Sequence, residues 1–289
     1  MCKIKISCII CSRQSDISVE LKNNIASTIG CDYELVVIDN SKNKYSIFSA
    51  YNEGVHRAKG DILCFMHEDI LFHTTAWGNN VLKYFEKFTH AGLLGVAGTH
   101  FVSSIPGGWW ATKIASVHLL RGFYNEKGLY TTKEENESPT NEFPTLLAAI
   151  DGLWMCMPKG LFLRLRWDEE NFFGFHAYDM DMSLQVWNAG YEVHFYSNVL
   201  IEHKSMGQTG MDFHVDYEKL WSKWKDVLPM IKGVSISPTE QVLRMLIADL
   251  ERKMRIQEFQ IRSSYAYRLG KFLLKPFSWL RNLLKFKKK

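Results

Sequence analysis

The feature that most restricts the fold is an alternation: short runs rich in Ile, Val and Leu are separated by segments with helical spacing, repeatedly, through the first hundred residues. Strand-like runs fall at residues 4–11, 34–38, 62–66, 94–98, 153–157 and 193–201, and helical patterns at 19–29, 46–58 and 74–88. That order is the signature of βαβ units and predicts an α/β protein with a mostly parallel central sheet. The early strands carry apolar residues on both alternating sets, which fits a sheet covered on both faces. With 289 residues, 46% of them hydrophobic, the chain can bury such a core in one large domain, expected over 1–235, with a helical extension over 236–289.

Two stretches fit the alternation poorly. Residues 103–144 weaken into Pro, Gly, Trp, Thr and Asn and read as a long functional loop or lid, in which Trp109 and Trp110 either stack on a sugar ring or anchor the loop. Beyond residue 205, segments 216–231 and 239–260 read as helices. The six cysteines, Cys2, Cys8, Cys11, Cys31, Cys64 and Cys156, lie mostly in or beside apolar runs. Cys8 and Cys11 have the spacing of half a zinc set, but a strand points them to opposite faces and no second pair completes the set, so reduced core thiols are expected.

The formal charge of +4 conceals an asymmetry. Residues 259–289 contain no acid and nine cations, which leaves 26 basic against 31 acidic side chains upstream, a net −5. A mildly acidic body offers no grip for nucleic acid, and none is expected as a partner. Within the tail, Leu269, Phe272, Leu273, Phe277, Leu280, Leu283 and Leu284 alternate with basic residues on either side of Pro276. This is the pattern of an amphipathic helix lying on an anionic membrane; the alternative is a basic helix packed on the body or on another subunit. The first residues lack a secretory pattern and no apolar run is long enough to span a bilayer, so the expected location is cytoplasmic, peripheral on the inner face of the cell membrane.

Chemistry gathers at the strand ends, because open α/β sheets bind ligands beyond their carboxyl edges. The run 62–66 opens onto His67-Glu68-Asp69, and a carboxylate there can hold a divalent ion against phosphate oxygens, or merely begin the next loop. The first run ends in Ser12-Arg13 and the second in Asp39, whose carboxylate suits the donors of a base or ribose. Asn52 and Gly54, before the sharp turn at Gly60, are candidates for close approach to a nucleotide.

Taken together, this order resembles the nucleotide-sugar-dependent glycosyltransferases of family 2, which have the GT-A fold, over residues 4–205. Ser12-Arg13 resembles the family's first-strand segment, Asp39 its base-binding Asp, and Asn52-x-Gly54 with 58–61 the stretch before its metal motif. The motif itself is usually D-x-D or D-D-x; here only Asp69 keeps the carboxylate, and His67 stands where an acid normally lies near the ribose. Further on, 167–174 and 176–181 are similar to the segment "F-D-E-x-F…E-D-x-D-x-x-x-R", with Tyr178 in place of its Glu and Gln185 in place of its Arg.

The resemblance implies an inverting transferase that uses a nucleoside-diphosphate sugar as donor and a saccharide or lipid-linked saccharide as acceptor, as in surface polysaccharide assembly. It implies Asp179 as catalytic base, Asp69 and His203 as ligands of Mg²⁺ or Mn²⁺, and Ser12, Arg13, Asp39, Asn52, His67 and Glu68 on the donor. Asp151 and Gly152 resemble its acceptor-side or sugar-binding turn, and Asp181 either caps the helix or orients Asp179. Two rivals are a catalytically silent sugar-nucleotide-binding scaffold, which the departures at 67, 178 and 185 allow, and a nucleotidyltransferase. The second is disfavoured because no Gly-rich phosphate loop with a Lys follows the first strand.

Overall fold

The computed structural model describes residues 4–126, 128–205, 210–269 and 271–272; the proposed membrane segment beyond residue 272 lies outside the described residues. In the first third the apolar runs become strands where expected: β1 (Ile6–Ser12), β2 (Tyr33–Asp39) and β3 (Ile62–Met66), with α1 (Val19–Thr28) and α2 (Ile47–Arg57) between them. Ser18 and Ser46 start these helices by accepting from the Leu21 and Ser49 amides at 3.1 Å each, satisfying donors that a first turn leaves unpaired. Gly54 serves packing rather than a nucleotide, since a Cβ there would lie 2.3 Å from Ile9 Cγ2 and would push α2 off β1.

Next come β4 (Ile70–Phe72), α3 (Trp77–Lys87), β5 (Ala91–Gly95), β6 (Ala97–Thr99) and β7 (Phe101–Val102). A 3₁₀ turn at Trp109–Thr112 leads into β8 (Ala115–Tyr124) and β9 (Tyr130–Glu137), so the expected loop contains a long antiparallel hairpin. Short strands β10 (Thr145–Leu146) and β11 (Ala149–Ile150) precede β12 (Trp154–Pro158), α4 (Lys159–Leu165) and α5 (Tyr178–Asn188). The run expected at 193–201 divides into β13 (Glu192–Phe195) and β14 (Ile201–His203). Finally α6 (Met211–Trp224) ends earlier than its pattern implied, the short strand β15 (Met230–Ile231) pairs with β7, and α7 (Pro238–Ser263) follows.

Seven strands form the main sheet in the order β10-β13-β5-β12-β3-β1-β2. Five run one way and β12 and β10 run against them, so a mostly parallel sheet is interrupted by an antiparallel strand at its centre. Cys8, Cys64 and Cys156 sit abreast on β1, β3 and β12, and the five described cysteines are all free. Burial pushes the Cys64 and Cys156 thiols up, which keeps them protonated and unreactive.

A second sheet, β11-β6-β8-β14-β4 with β9 beside β8, meets the first along one seam. Among the chain's crossings from sheet to sheet are β3→β4, β5→β6, β11→β12 and β13→β14. Each of these four lies at the carboxyl end of β3, β5 or β13, or at the start of the reversed β12. Residues 67–69, 151–153 and 196–200 are therefore brought to a common line by topology alone.

Candidate active site

At that seam the His67 amide donates to the Leu153 carbonyl (3.0 Å) and the Lys204 amide to the Asp69 carbonyl (3.0 Å), fixing the three segments together. His67 Nδ1 lies 3.4 Å from His203 Nε2, which lies 3.6 Å from Asp69 Oδ1; the third side, His67 to Asp69, is 4.0 Å. A circle through these three atoms has a radius of about 2.1 Å, the length of a bond from imidazole nitrogen or carboxylate oxygen to a small divalent ion. Burial, reinforced by His203, pushes the His67 pKa down, so its imidazole keeps a lone pair to offer. Burial alone would raise the Asp69 carboxyl, but hydrogen bonds from His203 and Ser205 outweigh it and hold the group well below the usual carboxylate range. Two imidazoles and an ionised carboxylate suit Mn²⁺ beside Mg²⁺ and leave positions for diphosphate oxygens.

The far side of His67 is held as firmly. Its Nε2 is 2.8 Å from the Tyr178 hydroxyl, and with Nδ1 turned to the ligand cluster the proton belongs on Nε2, donated to Tyr178. Tyr178 reaches that position because residue 152 is glycine: a Cβ there would stand 2.1 Å from the Tyr178 oxygen. The two departures from the family pattern, His67 and Tyr178, are thus partners, each occupying room that the other requires. The third, Gln185, donates to Asp181 (2.7 Å) one turn earlier on α5.

Helix α5 begins from Ala177, whose φ of 65° is in the left-handed region, a strained start for a residue with a Cβ. It delivers Asp179 to the cleft floor, 8% exposed. The Asp179 carboxylate accepts from the Gly152 amide (3.1 Å) and the Met180 amide (2.9 Å). Burial first, then the neighbouring Asp151 charge, push its pKa up to about 7. Such a carboxyl can take a proton near neutral pH, as a general base must. Asp181, fully buried, accepts from Trp224 Nε1 (2.7 Å) and Lys223 Nζ (2.8 Å) and ties α5 to α6 instead of facing the cleft.

Around these groups lies a cleft of about 460 Å³, lined by His67, Asp151, Gly152, Tyr178, Asp179 and His203 and roofed by Trp109, Trp110, Phe213 and Arg255. Trp109 is anchored by its Nε1–H to Asp151 Oδ2 (2.9 Å), and Trp110 stacks on Phe213 (5.7 Å between centroids). Arg121, on β8, lines one side of the cleft and makes two 2.8 Å bonds to Glu135 on β9, while the Tyr130 hydroxyl at the start of β9 donates to Glu202 (2.6 Å), beside His203.

The remaining expected donor residues divide. Ser12 and Arg13 meet Glu68 at 2.6 and 2.8 Å, so the Glu68 carboxylate braces the end of β1 against the end of β3. Asp39 is exposed opposite Ser12 in the β1–β2 register and accepts from the Ser41 amide, on the carboxyl edge but outside the cleft lining. Asn52 does not join the site: its amide is taken up by the Trp167 backbone, donating at 2.9 Å and accepting at 3.2 Å. His67, expected beside the ribose, belongs with the candidate cation ligands. Sequence reasoning missed Arg255, which arrives from a helix more than fifty residues beyond His203, and the Tyr178–His67 contact, signalled only by two unusual residues in one pattern.

Comparison with known proteins bears on the family and the fold. The profile of the glycosyltransferase-like family matches residues 5–213. A search of curated protein sequences found no match. Among solved structures, GalNAc-T7 with UDP, GalNAc and Mn²⁺ aligns at a TM-score of 0.51 and 12% identity, covering 77% of this chain and 50% of that one. This chain thus spans half the length of GalNAc-T7. S. aureus TarS 1–349 aligns at a TM-score of 0.50 and 12% identity, covering 92% of this chain and 77% of that one. At such identities the likeness concerns the fold, which is that of GT-A glycosyltransferases. With its two-sheet seam and a profile match over most of its length, the chain belongs to the glycosyltransferase-like family.

Proposed function

We propose that the protein is an inverting, metal-dependent transferase that moves a sugar from a nucleoside-diphosphate donor to a saccharide acceptor. The observation that carries this reading is the placement of the Asp179 carboxyl, with its pKa near 7, in the same cleft as His67 and His203, whose ring nitrogens cluster with Asp69. An acceptor hydroxyl in the cleft loses its proton to Asp179 as its oxygen bonds to the anomeric carbon. The bond from that carbon to the diphosphate oxygen breaks on the opposite side, and the electron pair leaves with the nucleoside diphosphate. Attack and departure on opposite faces invert the centre. His67, Asp69 and His203 would hold the divalent ion, which when bound supplies positive charge to the diphosphate oxygens. Tyr178 keeps the His67 ring oriented, while Trp109 and Trp110 offer apolar faces to a sugar. GalNAc-T7, crystallised with UDP and Mn²⁺, supports a nucleotide and an ion of this kind.

A lipid-linked acceptor at the inner membrane face, within surface polysaccharide assembly, is part of the proposal and is supported by the nine basic residues of 259–289. The test is a panel of nucleoside-diphosphate sugars incubated with Mn²⁺ and assayed for free nucleoside diphosphate. Release that requires both metal and Asp179 is the expected result. Donor binding without any product would establish the silent scaffold instead, and pyrophosphate release would mark nucleotidyl transfer.

A further inference from the structure

We propose that the outward face of α7 is a homodimer interface, in which two copies of this chain pair their α7 helices in parallel. The helix is amphipathic in the reverse of the usual sense. Toward the body it places charge and small side chains: Arg244 donates to the Thr112 and Lys113 carbonyls (2.9 and 3.3 Å), Ala248 is buried, Arg252 meets Glu218 (3.0 Å) and Arg255 lines the cleft. Toward solvent it places Leu243, Ile247, Leu250, Met254 and Ile261, each between 48% and 68% exposed. A helix that rests on its own protein through arginines and offers leucines to water is built for a second surface.

The spacing says which surface. Steps of four and three along 243, 247, 250 and 254, completed by Gln257 and Ile261, follow the seam of a two-stranded coiled coil over almost three heptads, about 27 Å of helix. With Ile247, Met254 and Ile261 at the first seam position and Leu243 and Leu250 at the second, Lys253 and Glu258 fall on opposite flanks, five residues apart. That is the offset at which flanking residues meet across a parallel pair, so Lys253 faces Glu258 of the partner subunit, and the reverse. An antiparallel pair would not bring Lys253 and Glu258 together, since it sets each flank against its own copy.

Charge also separates this occupant from a lipid surface. Pro238–Ser263 holds five cations and four acids, with Glu258 bordering the apolar stripe and Glu251 paired with Lys113 of the body (3.2 Å), whereas a helix lying on anionic lipid carries Lys and Arg there. Pairing would also fix the helix that holds Arg255 over the cleft.

Sedimentation equilibrium of the full chain over a concentration series tests the assignment. A reversible dimer is expected, with Leu250→Glu raising its dissociation constant at least about 30-fold while circular dichroism stays unchanged, because residue 250 is exposed. Lys253→Glu should weaken the dimer several-fold, and adding Glu258→Lys should restore it. A monomer at every concentration, or a dimer indifferent to Leu250→Glu, overturns the interface. Failure of the charge swap to restore association overturns the parallel register. A monomer whose flotation with anionic vesicles is lost in Leu250→Glu assigns the stripe to lipid and overturns the dimer.

Discussion

Replacing Asp179 with asparagine should destroy activity and stabilise the protein at the same time. In the unfolded chain the carboxyl titrates near its ordinary value of 3.8; in the folded protein burial holds the proton up to about pH 7. Between these values the folded state binds the extra proton. Wild-type stability contributed by this group is therefore full below about pH 4, falls as pH rises, and levels off above 7. At 1.36 kcal/mol per pH unit the loss amounts to about 4 kcal/mol. Asparagine has no such titration, although its amide nitrogen must replace one oxygen that now accepts from Gly152 or Met180, at a cost of about 1–3 kcal/mol independent of pH. The stability difference between variant and wild type, from urea unfolding at a series of pH values, should grow in the variant's favour from pH 4 to 7 and then stay flat. Single-turnover transfer should fall roughly 100- to 10,000-fold, and wild-type kcat/KM should rise through pH 7. A stability difference that does not change with pH would refute the buried, proton-retaining carboxyl, and near-normal turnover in the variant would remove it as the base.

Other perturbations separate ligands from braces. Asp69→Ala should weaken nucleotide diphosphate binding in the presence of Mn²⁺ but leave binding without metal unchanged, as read by calorimetry; equal affinities would remove Asp69 from the ligand set. Tyr178→Phe frees the His67 ring and should cost about 10–100-fold in metal affinity with little loss of stability, measured by metal titration of nucleotide binding. Gly152→Ala should lower metal affinity too but also destabilise the fold, since its new methyl would overlap both the hydroxyl and the buried ring of Tyr178. Asp181→Ala leaves the buried Trp224 Nε1 and Gln185 without their acceptor, while Lys223 keeps Asp168 (2.7 Å), and should cost about 1–3 kcal/mol of stability, so a thermal midpoint equal to wild type would contradict its bracing role.

Much of this was legible in the amino-acid order because the main sheet is built from local patterns. β1, β2 and β3 are runs dominated by apolar residues on both faces, and the helices between them begin at serine caps. Asp69 could be nominated because it follows the end of a strand, and His203 and Asp179 because their segments resemble the family's pattern. What could not be read were features decided by long-range pairing. The hairpin strand β9 has the sequence of a loop, polar at nearly every position, and is a strand only because β8 lies beside it. Asn52 looked nucleotide-facing because its spacing fits, yet a backbone 115 residues away claims its amide. Nothing in the sequence marked His67 as a candidate metal ligand; only β14, bringing His203 to 3.4 Å, does so.

The β8–β9 hairpin carries an implication for diversification. Its outer strand is wet on both faces and hangs from the fold by Tyr130–Glu202 and Arg121–Glu135, so its other side chains can be exchanged at little thermodynamic penalty. Relatives that accept different sugars should therefore differ most along this ribbon while keeping its two tethers. Grafting a relative's residues between Thr131 and Glu134 should alter which acceptors are used and leave the melting temperature nearly as it was.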